Sequence, residues 1–132
     1  MRIMLDTNIL LSALAFNSEM LGEIVDKVGE CHTMLLCEHI LEEFRGVVAV
    51  KMPHRSEELE ETLSNLKHEK VEKAEWKEYM GDLRDEDDKP ILAAAILADA
   101  DMIITGDKDF LESGITHPRI ISHLDFLRDY ME

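Results

Sequence analysis

At 132 residues and 45% hydrophobic, the chain can bury a core and is expected to form a single domain over residues 1–132. Its 29 acidic residues against 14 basic ones leave a net charge of -15, which argues against gripping nucleic acid through the overall field. No run approaches the roughly 18 apolar residues of a membrane span, and no basic stretch followed by an apolar one opens the chain, so the expected location is cytoplasmic, with no membrane partner.

In chain order, the apolar run at about 2–6 reads as a strand that stops at Asp6. Ile9, Leu10 and Leu14, then Met20, Leu21, Ile24, Val25 and Val28, follow at three- and four-residue steps, which predicts helix with Gly29 as its stop. A second strand is expected at about 32–37. It feeds a helix carrying Ile40, Leu41, Phe44, Val47 and Val48, ended by Pro53.

From Ser56 to about Glu78 the composition turns to Glu and Lys, with Leu59, Leu63 and Leu66 at helical spacing, so an amphipathic helix or helix pair capped by Ser56 is expected. Pro90 suits the first turn of a helix running to about Ala98. A strand at 102–105, a short helix near 108–113, a strand around 119–121 and a closing helix complete the chain. That last helix carries a stripe of Leu124, Leu127 and Met131, with Phe126 beside it. Alternation at this pace implies right-handed βαβ units, hence an α/β fold with a parallel sheet covered by helices on both faces.

Cys31 and Cys37 bracket the second strand, and about six extended residues separate them too far for a disulfide. Reduced, buried thiols are expected. The six histidines form no metal-binding spacing.

Acids adjoin the apolar runs at Asp6, Glu43, Asp88 and the Asp107/Asp109 pair. Singly, each has an ordinary explanation as a helix cap or a solvated side chain. Together they fall where a parallel sheet brings its carboxyl ends to one edge. Glu43 borders the apolar stripe of its helix and can lean over that edge, while Glu42 faces water. Gly106 permits a tight turn before Asp107, and the helix that follows aims its amides at the same space. Carboxylates gathered without cations repel one another, so the cluster calls for an ion, and an all-oxygen set points to Mg²⁺ or Mn²⁺. The chemistry that uses such a set is phosphodiester hydrolysis, with metal activating water and a second ion about 4 Å away able to stabilise the leaving oxygen.

Four segments carry a family resemblance: Ile-Met-Leu-Asp6-Thr-Asn8, Glu43 six residues after Cys37, Asp85-x-x-Asp88 before Ile-Leu-Ala-Ala-Ala, and Ile-Ile-Thr105-Gly-Asp107-Lys-Asp109-Phe. In this order and spacing, over about residues 2 to 122, the chain resembles PIN domains, and in particular the PIN-family toxin components of toxin–antitoxin pairs. The resemblance implies a three-layer α/β/α sandwich with a central, mainly parallel sheet and metal-dependent ribonuclease activity. It also implies an antitoxin partner and a homodimer. By motif match Asp6, Glu43, Asp88 and Asp107 are the catalytic, metal-holding acids, Asp109 joins them as a supporting ligand, and Asn8 and Thr105 shape the site. Position 37, commonly Ser or Thr in such domains, is Cys here, which alters a local cap without supplying a ligand.

Nine of the 14 basic residues lie between Arg45 and Lys89. Lys70, Lys73 and Lys77 would form a stripe on a continuous helix, and two readings compete: an RNA-binding rim, or a solvated face whose lysines pair with glutamates, as Lys73 would with Glu69. A phosphoacceptor domain or aspartyl phosphatase would also set acids at strand ends. The first strand, however, ends in one acid without an Asp-x-Asp pair, and the second ends in Cys37. The alternative that remains is a non-catalytic PIN-like module that binds metal, protein or RNA.

Overall fold

The computed structural model describes residues 1–81 and 83–131, the Tyr79 side chain apart. Five strands form one sheet: β1 (Arg2–Leu5), β2 (Thr33–Cys37), β3 (Glu69–Val71), β4 (Met102–Ile104) and β5 (Arg119–Ile121). Their spatial order is β3-β2-β1-β4-β5, every pair parallel, with Ile3 opposite both Met34 and Met102. Seven α-helices lie among the described residues: α1 (Thr7–Leu14), α2 (Glu19–Cys31), α3 (Glu38–Lys51), α4 (Ser56–Asn65), α5 (Asp88–Leu97), α6 (Lys108–Leu111) and α7 (His123–Tyr130).

The chain steps one way from β1 to β3 and the other way from β4 to β5. Right-handed crossovers therefore cover both faces of the sheet and leave a crevice beyond the carboxyl ends of β1 and β4. Buried on both faces, the central strands read as unbroken apolar runs: Ile3, Met4, Leu5, Leu35, Leu36, Ile103 and Ile104 are all fully buried. None of the described helices is long and apolar enough to cross a membrane.

Several expectations are corrected. The periodic stretch from Ile9 to Val28 is two helices, because Asn17 adopts φ 56° and Ser18 restarts the helix by accepting from the Leu21 amide at 3.3 Å. Gly29 does not stop α2, which runs to Cys31; Cys31 is exposed at a helix end, Cys37 is buried in β2, and both thiols are free.

Ser56 is the first residue of α4 and makes no cap. The helix expected to reach Glu78 ends at Asn65, and β3 follows. Only Val71 of β3 is buried, but its backbone completes the exposed edge of β2, and that pairing outweighs the helical propensity of Glu and Lys. In α7 the stripe is turned. Phe126 is fully buried and stacks on Tyr130 at 5.3 Å, whereas Leu124 is 60% exposed.

Candidate active site

The crevice is a cleft of about 200 Å³ lined by Asp6, Thr7, Asn8, Glu43, Asp85, Asp87, Asp88, Ile91 and Asp107. Its acids arrive from four places because β1 and β4 end at this edge and α3 and α5 begin there.

Asp6 follows β1, and its amide donates to Ile104 O at 3.0 Å, extending the β1–β4 ladder by one residue. Both carboxylate oxygens are engaged: Oδ1 accepts from the Thr7 amide at 2.7 Å, capping α1, and Oδ2 accepts from Thr105 Oγ1 at 2.6 Å. Burial pushes the Asp6 carboxyl above its ordinary pKa, against the pull of those hydrogen bonds and with further upward pressure from Glu43 and Asp107. Thr105, fully buried, also accepts from the Asp107 amide at 3.0 Å, so one hydroxyl couples the ends of β1 and β4.

Glu43 lies in the second turn of α3. Thr7 Oγ1 donates to its Oε1 at 2.9 Å, and His39 Nε2, one turn earlier, is 3.1 Å from the same oxygen without aligned hydrogen-bond geometry. Glu42 faces solvent, as expected. Cys37 occupies the cap position of α3 and makes no side-chain cap bond.

Asp88 opens α5 and is 4% exposed, yet its Oδ2 has no hydrogen-bond partner. Burial, then the nearby charges of Asp107, Asp85, Asp6 and Asp109, raise its pKa to about 7. Asp85, Asp88 and Asp107 each present a carboxylate oxygen, all within 4.8 Å of one another. A hard-oxygen set with one orphaned buried oxygen fits a divalent cation of the Mg²⁺ or Mn²⁺ type.

Of the acids singled out in the sequence, Asp6, Glu43, Asp88 and Asp107 meet in the cleft, and the exposed Asn8 lines it. Asp109 does not line it. Arg84 Nη2 holds Asp109 Oδ1 at 3.1 Å and Glu112 at 3.1 Å, and the Asp109 amide donates to Asp107 Oδ1 at 2.9 Å. The second amide of α6 is thus used within the loop as a cap. Gly106 is not among the positive-φ glycines, so its turn needs no left-handed backbone.

Asp85 and Thr7 carry roles that the sequence reading did not assign. Asp85 appeared there only as the start of Asp85-x-x-Asp88. Its use depends on a turn in which Oδ1 accepts from the Asp87 amide at 2.9 Å, a local acid–amide pattern that the Asp-Glu-Asp-Asp run does signal.

The lysine stripe is absent as such, because no helix carries it. Lys70 lies 3.6 Å from Glu38, Lys73 is 2.9 Å from Glu42 and Lys77 is 3.2 Å from Glu75; Glu69 pairs with Arg2.

A doubly wound parallel sheet with an acid-lined crevice at its switch point defines the class: an α/β domain whose site lies at the carboxyl ends of its central strands. Residues 2–109 match the PIN domain family, and the chain belongs to it. Its fold is similar to that of a chain in the crystal structure of VapBC2 from Rickettsia felis bound to a DNA fragment from their promoter. The TM-score is 0.68 at 19% identity, covering 92% of this chain and 97% of that one. No curated protein matches it significantly in sequence.

Proposed function

We propose that the protein is a single PIN domain acting as a ribonuclease that needs Mg²⁺ or Mn²⁺, and that it serves as the toxin of a toxin–antitoxin pair. The observation that carries the reading is the approach of Asp85, Asp88 and Asp107 to within 4.8 Å around the unpartnered Asp88 Oδ2. Like charges held this close around one unpartnered buried oxygen destabilise a fold unless a cation compensates them, and such groups cluster at functional sites.

Asp85, Asp88 and Asp107, with Asp6 and Glu43 beside them, would hold the ion; Asp109 would support from outside the cleft. When bound, such an ion lowers the pKa of water and offsets charge developing on the phosphate. Thr105 and Thr7 orient the Asp6 and Glu43 carboxylates, and Asn8 is an exposed hydrogen-bonding group at the mouth for the RNA backbone. Near neutral pH Asp88 can keep a proton, which it would give up were an ion bound there. Ile91 forms the apolar wall.

The fold likeness to a VapBC2 chain supports an antitoxin partner, and the same reading includes a homodimer. Protein freed of any inhibitor should cut labelled RNA in Mg²⁺ or Mn²⁺ and not in EDTA, and Asp107→Asn should be inert. Wild-type protein that cuts none of several RNAs with either ion would instead make this chain a non-catalytic binding module. Light scattering checks the dimer, and co-purification with the product of a neighbouring small gene checks the antitoxin.

A further inference from the structure

The segment leaving β3 runs along the edge of the sheet on which the acidic cleft opens. β3 is parallel to its neighbours, so Val71 ends on the same side as Leu5 and Ile104. Two contacts then fix its course. Lys73 Nζ lies 2.9 Å from Glu42 Oε1, one residue before the cleft acid Glu43. Lys89 Nζ, one residue after the cleft acid Asp88, sits 5.6 Å from the centroid of the Trp76 indole. Residues 73–76 therefore bridge the starts of α3 and α5, and the single tryptophan of the chain stands against Lys89, the residue that follows the cleft acid Asp88. The indole packs partly on the core and keeps part of its surface in solvent.

We propose that Trp76 is a nucleobase platform: Lys89, which lies over the indole face in the free protein, moves to an RNA phosphate, and one base of the single strand stacks on the face it leaves. This rests on the nuclease reading. The cleft has no basic residue in its lining, and the net charge of -15 repels a polyanion. Stacking is a hold that does not depend on that field, since every base offers a π face. Lys89, now 2.7 Å from Glu86, is placed to exchange that exposed carboxylate for a phosphate. Unpaired RNA should be preferred over duplex, whose bases are already stacked.

The test is a titration of the full chain, in Ca²⁺ to suppress turnover, with an RNA octamer and with the same octamer made abasic at one position in turn. Tryptophan emission and, separately, anisotropy of labelled RNA are read. RNA should quench the emission. Trp76→Leu should weaken binding about 5- to 150-fold, as should one abasic position, while Trp76→Phe stays within about threefold of the parent. Both variants should keep the Mn²⁺-induced rise in melting temperature. Binding without a change in emission, parental affinity in Trp76→Leu, or equal losses in Trp76→Leu and Trp76→Phe would each overturn the platform while leaving the nuclease reading intact. Wild-type protein that binds no RNA in anisotropy overturns both.

Discussion

Replacing Asp88 by Asn should make the metal-free protein more stable at alkaline pH and remove most of its response to metal. In the folded chain Asp88 holds its proton up to about 7, against 3.8 for an ordinary carboxyl. Between those values the folded state binds more protons than the unfolded one, so the stability present below about pH 4 is progressively lost as pH rises towards 7. At 1.36 kcal/mol per tenfold change in proton affinity the full loss is roughly 4 kcal/mol. The cleft opens to solvent, and screening reduces this to about 2 kcal/mol. The substituted side chain carries no charge, and its amide could donate to the carboxylate of Asp85 or Asp107. In EDTA, Asp88→Asn should therefore melt roughly 6 °C above the parent at pH 8, for about 2 kcal/mol in a domain of this size, and close to it at pH 4. Adding Mn²⁺ at pH 8 should raise the parent by mass action and the variant far less. Parallel pH profiles for the two proteins in EDTA would refute the assignment of a strained, ionisable carboxylate to this position. An equal Mn²⁺ response would show that the ion binds elsewhere.

Asp6→Asn should keep the fold, since the amide oxygen can still accept from Thr7 or Thr105, and should lower RNA cleavage by more than about 100-fold, beyond the range for groups that merely orient a ligand; parental rates would remove Asp6 from the site. Changing Lys70, Lys73 and Lys77 to Gln should weaken RNA binding and flatten its salt dependence while leaving the Mn²⁺ response unchanged. Unaltered binding at low and high salt would mean that these lysines serve only their glutamate partners. Phe126→Ala should cost about 3–5 kcal/mol in denaturant unfolding and Leu124→Ala less than about 0.5 kcal/mol; the reverse order would contradict the observed rotation of α7.

Residues 2–5, 33–37 and 102–104 were legible as strands because a parallel strand buried on both faces leaves a continuous apolar run, a signal carried by the chain alone, whereas the edge strand 119–121 showed only its Ile120-Ile121 pair beside the exposed Arg119. The meeting of Asp6, Glu43, Asp88 and Asp107 was legible for the same reason: each adjoins an element end that such a sheet brings to one edge. The rest depended on partners distant in sequence. Glu69–Val71 is a strand only because the edge of β2 is free to pair with it, and Phe126 rather than Leu124 faces inward only because of how α7 meets α2. Likewise Asp109 is drawn off by Arg84 and Asp85 is turned in, a choice between neighbouring carboxylates that composition and spacing leave equal. Burial and charge pairing, which exist only once the chain has folded, decide it.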